Sequence, residues 1–125
     1  NNTQSCVFIN NGKGQFTMQP LPLMAQLSPV FGILVTDLNG DGLKDLFMAG
    51  NFYSLKPQSG RFDASYGTTL LANKQHQFSY LEPAQSGLFI NGEARDIVSI
   101  KAKGNDYIIV AMNNAPLYIF RKKKS

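Results

Sequence analysis

The sequence is poor in the side chains on which most soluble chemistry depends. It has one cysteine (Cys6), one histidine (His76), no tryptophan and eight acidic residues in 125. A single cysteine excludes an internal disulfide, and thiol chemistry would need His76 as its partner. His76 lies in the polar turn Asn73-Lys74-Gln75-His76-Gln77, with no carboxylate beside it in sequence, and reads as an exposed turn residue. No Gly-x-Ser-x-Gly elbow accompanies it, so a serine hydrolase has no sequence support. No apolar run approaches the roughly 18 residues of a membrane span. The start, Asn1-Asn2-Thr3, has neither Met nor a signal-peptide apolar core, and the expectation is a piece of a longer protein.

Charge is also scarce, at 16% of residues, and the net +4 equals the run Arg121, Lys122, Lys123, Lys124. The rest is close to neutral. A basic face for nucleic acid is therefore not expected, because phosphate binding needs cations spread over a surface. The terminal run reads as a solvated tail, with attraction to anionic surfaces as the lesser reading.

What the chain does have is a succession of short apolar runs between Gly, Asn and Pro clusters. Cys6 to Ile9, Gln15 to Met18, Ile33 to Thr36, Leu46 to Ala49, Thr68 to Ala72, Gln77 to Leu81, Asp96 to Ile100, Tyr107 to Met112 and Leu117 to Phe120 are rich in β-branched and aromatic residues. The helix candidate Leu23 to Leu27 is cut short by Pro22 and Pro29. The class is all-β.

An offset of 63 residues lays Asn10 on Asn73, Val7 on Leu70, Pro20 on Pro83, Val35 on Val98, Phe47 on Val110 and Asn51 on Asn114. One residue of slippage adds Phe16 on Phe78. This pattern predicts an internal duplication, the alternative being two unrelated β-meanders. A unit of that length with about four antiparallel strands suits a β-propeller blade. The chain then holds about two blades: a trailing strand pair in 1–30, a complete blade with its loop in 31–83, and a final three-stranded set with the basic tail in 84–125. Open blade faces and edges predict self-association of the isolated chain, or contact with neighbouring blades in a parent protein.

The segment Asp37-Leu38-Asn39-Gly40-Asp41-Gly42-Leu43-Lys44-Asp45 gathers three of the eight acidic residues. Oxygen donors fall at its positions 1, 3, 5 and 9. Calcium takes six to eight oxygens, and alternate residues of a tight loop turn toward one centre, with the Leu43 carbonyl as a further donor. An EF-hand would need Glu where Met48 stands, so the loop belongs to a turn between two strands. The competing reading is an Asx-rich turn that binds nothing. At the 63-residue offset these donors become Ile100, Ala102, Gly104 and Ile108, so one cation is expected for the chain.

Phe31-Gly32, Val35, the Asp37 to Asp45 loop, Leu46 and Ala49-Gly50-Asn51 resemble the FG-GAP or VCBS-type repeat of integrin-like calcium-binding β-propellers. The resemblance implies a calcium loop near the start of the blade, with side-chain ligands Asp37, Asn39, Asp41 and Asp45 and a backbone ligand at Leu43. Gly60 to Gly67 and Gly92 to Ile97 are similar to C-terminal regions of large secreted bacterial VCBS-repeat proteins.

The functional expectation is a non-enzymatic binding or scaffold module holding one Ca2+, extracellular or in a bacterial cell envelope, where calcium is abundant enough to fill a weak site. An extracellular protein or glycan is the expected ligand. The alternative is a carbohydrate- or ligand-binding surface on the 51–67 loop, where Phe52, Tyr53, Arg61, Phe62, Asp63 and Tyr66 cluster, possibly accessory to a carbohydrate-active enzyme. Glu93, Arg95 and Asp96 read as a structural ion pair or a polar site.

Overall fold

A computed structural model describes residues 4–26, 30–50, 67–90 and 92–123. It is built from nine strands in three antiparallel sheets. The first sheet pairs β1 (Cys6–Asn10) with β2 (Phe16–Pro20). The second is a meander of β3 (Val30–Thr36), β4 (Asp45–Gly50), β5 (Thr68–Ala72) and β6 (Phe78–Leu81). The third joins β7 (Ala94–Ala102), β8 (Asn105–Met112) and β9 (Tyr118–Arg121). The all-β class and every expected strand are present, with ends moved by up to two or three residues where ladder bonds extend beyond the apolar run. The helix candidate is a single 3-10 turn over Leu23–Gln26. A short helix α1 (Pro83–Ser86) is additional, with proline in its first turn and Gly87 left-handed at its end. That Pro-to-Gly spacing was a readable helix signal.

Period-two alternation decides how the sheets stack. In β4, Leu46 and Met48 turn to one face, where they meet Leu70 of β5, Leu21, Ala25 and, from β1, Val7. Phe47 and Ala49 turn to the other, where they meet Leu34 of β3 and Ile97 and Val110 of the third sheet. β4 is thus covered on both sides, which explains its unbroken apolar run. Each fully buried large side chain here is worth about 1.5–3 kcal/mol. The first sheet is further tied down by Gln26, whose Oε1 accepts from Ser5 N at 2.6 Å and whose Nε2 donates to Ser5 O at 2.8 Å.

The second and third sheets come close enough that a glycine is required. A Cβ on Gly32 would lie 3.0 Å from Ile97 Cγ1 and 3.1 Å from Ile97 N. The Phe-Gly pair read as a motif element is therefore, physically, the place where β3 lets β7 approach.

The two later sheets also repeat in register. Leu34 opposes Phe47 across β3–β4, and Ile97 opposes Val110 across β7–β8, both at the 63-residue offset. Both leading strands carry an irregularity near their start, between Val30 and Gly32 and between Ala94 and Asp96. The hairpin turns of the earlier strands match at 62 instead. Asn11 Oδ1 accepts from Lys13 N and Gln15 N, just as Asn73 Oδ1 accepts from Gln75 N and Gln77 N. Asn11, not Asn10, is the counterpart of Asn73 in this pattern.

Candidate metal centre

The loop between β3 and β4 is shaped by its own side chains. Asp37 Oδ1 accepts from Gly40 N at 2.7 Å and Oδ2 from Gly42 N at 2.8 Å, so one carboxylate closes two successive turns. Gly40 and Gly42 adopt φ of 84° and 87°, where a Cβ would be strained. Asn39 Oδ1 accepts from Asp41 N, and Asp41 Oδ1 accepts from Leu43 N. The loop coils because donors at alternate positions each hold a backbone N–H two residues on.

This coiling brings Asp37, Asp41 and Asp45 together. One carboxylate oxygen from each lies within 4.8 Å of the others. Two oxygens bound to a single calcium ion at 2.3–2.6 Å can be no more than about 5 Å apart, so the spacing fits such an ion. The donors are all oxygens, as a hard cation requires, and a carboxylate oxygen that accepts one N–H retains a second lone pair. Asn39 sits against the cluster, its Nδ2 donating to Asp41 Oδ2 at 3.1 Å. Leu43 touches the cluster through its N–H on Asp41. Among the described residues, this is the one grouping of three or more acidic, His or Cys side chains with metal-binding spacing.

The three carboxylates are not equivalent. Asp41 is exposed and Asp37 half-buried, whereas Asp45 is fully buried. Asp45 Oδ2 accepts from Leu38 N at 2.8 Å and Oδ1 from Ala72 N at 2.8 Å. It therefore joins the loop's start to the end of β5, a structural duty invisible in a ligand pattern. The Gly42 N–H holds the Asp37 carboxyl below its ordinary value of 3.8. The Gly40 N–H and the Lys122 charge act the same way, while partial burial opposes them.

Lys122 is the residue that the sequence misplaced. Its Nζ donates to Asp37 O at 2.8 Å, and its N–H continues the third sheet by donating to Asp106 O at 2.9 Å. Arg121 lies within β9. The basic run is thus not wholly a tail, because backbone pairing with β8 carries it back along the sheet to the cation loop. No sequence signal links positions 85 residues apart.

The other candidates resolve simply. Lys103 and Gly104, with φ of 51° and 77°, make a tight two-residue hairpin turn where the second unit has no acidic donors. His76, with φ of 60°, sits in the β5–β6 turn, and its carbonyl accepts from Gln19 Nε2. Arg95 pairs with Glu93 at 3.4 Å and lies over the Phe31 ring, while Asp96 accepts from Ile97 N, a structural arrangement. Phe52, Tyr53, Arg61, Phe62, Asp63 and Tyr66 lie outside the described residues.

A scan against protein-family models and searches of curated proteins and of solved structures return no match to this chain. Among the described residues, no helix is long and apolar enough to cross a membrane.

Proposed function

We propose that this chain is a calcium-binding segment of stacked β-sheets, consecutive blades of an FG-GAP-like propeller, serving as a binding or scaffold module rather than an enzyme. The observation that carries the reading is the convergence of the Asp37, Asp41 and Asp45 carboxylates within 4.8 Å on a glycine-shaped loop. Asn39 and the Leu43 carbonyl complete the ligand set. Calcium would draw the carboxylates together and lock the β3–β4 connection, which both large sheets touch through Asp45 and Lys122. The blade reading draws on the face-to-face packing of the second and third sheets and on their shared register.

A site of this kind in extracellular modules binds with a dissociation constant of about 0.1–1 mM. Such an affinity suits an extracellular or cell-envelope location, and it makes the ion a structural clip. Neighbouring blades of a parent protein are the first partners. In the isolated chain a second copy takes their place, since the outer faces of the end sheets are apolar.

Calorimetric titration tests the metal reading. Calcium should bind with a stoichiometry of one per chain, and Asp41→Ala should abolish the heat. A flat titration of the unaltered chain with calcium would overturn it.

A further inference from the structure

A cleft of about 1020 Å³ opens beside the cation loop, walled by the second and third sheets and by α1. This is at the upper end of the sizes found for small-ligand sites. Five cations from three separated stretches reach it: Lys44 after the loop, Lys101 on β7, and Arg121, Lys122 and Lys123 at the end of the third sheet. Asp37 and Asp106 are its acidic members. Five positive against two negative leaves a net charge of +3, in a chain whose total is +4.

These cations are not used up in pairing. Lys122 is held by Asp37 O, and Lys101 makes only a long, exposed contact of 3.7 Å with Asp106. Among the described residues, Lys44, Arg121 and Lys123 have no carboxylate within ion-pair distance. The walls between the charges carry neutral hydroxyl and amide groups, including Thr36, Thr69, Gln85 and Ser99. Such groups suit a ligand with many hydroxyls as well as negative charge. The two carboxylates favour the same choice, since they accept from sugar hydroxyls but repel a phosphate backbone.

We propose that this cleft binds a segment of an acidic polysaccharide, with Lys101, Arg121 and Lys123 pairing its carboxylate or sulfate groups. Where it touches the metal, the inference rests on the calcium reading: an ion in the loop offsets the charge of Asp37 and makes the cleft more positive. Calcium and the saccharide then strengthen each other's binding by the same factor.

The test titrates the full chain with a carboxylated oligogalacturonate, a sulfated heparin-type oligosaccharide, a neutral cello-oligosaccharide and a single-stranded oligonucleotide of matching charge. Each is run in calcium and in chelator, at low and high salt. At least one acidic saccharide should bind in both media, more tightly in calcium and more weakly as salt rises, with the neutral sugar about tenfold or more weaker. The two acidic arms identify whether carboxylate or sulfate is the charge recognised. Lys101→Gln with Lys123→Gln should weaken binding about tenfold, the worth of two exposed ion pairs, with the melting temperature unchanged. Lys13→Gln with Lys74→Gln, remote from the cleft, should leave binding as it was.

Absence of acidic-saccharide binding in both media overturns the proposal, as does tighter binding of the oligonucleotide or an equal loss in the remote variant. Saccharide binding without any calcium response would uphold the cleft and sink the metal reading. Calcium binding without saccharide binding would do the reverse.

Discussion

Replacing Asp45 and Asp41 separately by alanine distinguishes a ligand from a structural anchor within one acidic cluster. Asp45 is fully buried and accepts two backbone N–H groups, from Leu38 and Ala72. Asp45→Ala leaves both donors without an acceptor in partly buried surroundings, at about 1–2 kcal/mol each. The loss of about 2–4 kcal/mol needs no metal and should appear in chelator. At about 4 °C per kcal/mol for a chain of this size, the melting temperature falls by about 8–16 °C. Asp41 is exposed, and its bonds to Asn39 and Leu43 lie at the surface. Asp41→Ala should therefore stay within about 0.5 kcal/mol of the unaltered chain in chelator. With a dissociation constant of about 0.1–1 mM, millimolar calcium stabilises the unaltered chain by about 0.4–1.4 kcal/mol, or about 2–6 °C. Asp41→Ala should lose that increment and little else. Thermal melts of the three proteins, each in calcium and in chelator, make the comparison. An Asp45→Ala protein that melts within about 2 °C of the unaltered chain in chelator would refute the anchoring argument.

Gly32→Ala should destabilise the chain by about 1–3 kcal/mol, because the new methyl meets the Ile97 backbone, which has no rotamer to yield with; chemical denaturation measures this, and a neutral result would mean that the sheets separate freely. The Asp37 pKa is lowered from 3.8, so its contribution to stability is complete above 3.8 and is lost as pH falls through the lower folded value. The stability difference between the unaltered chain and Asp37→Asn, measured in chelator, should stay flat from neutral pH to about 4.5 and shrink only below the carboxylate range; a difference that vanishes above pH 5 would contradict this. Phe8 and Phe16, each 62% exposed on the outer face of the first sheet, and Val98, Ile100 and Ile119 on that of the third, predict association at tens of micromolar. Light scattering that shows only monomer would rule that out.

Strand positions and the cation loop were legible in the sequence because both are local. A run such as Thr68 to Ala72 carries its β preference in its own side chains, and an Asp-x-Asn-x-Asp spacing coils a loop whatever surrounds it. The duplication was legible for the same reason, since residues that face one core in each unit recur at one spacing. What Asp45 does was not. As a letter it is a ninth-position donor, and only the arrival of β5, brought by pairing between β4 and β5, puts Ala72 N against its second oxygen.

The basic run shows the same division from the other side. Four cations in sequence read as a solvated tail because nothing near them is apolar, yet the ladder between β8 and β9 sets Arg121 opposite Tyr107 and delivers Lys122 to the loop carbonyl. Short-range chemistry determined the elements, the turns and the loop that gathers carboxylates. The pairing of distant strands, a cooperative choice made by burying Phe47, Ile97 and Val110 between two sheets, decided which charges share a cleft and which carboxylate bears the fold.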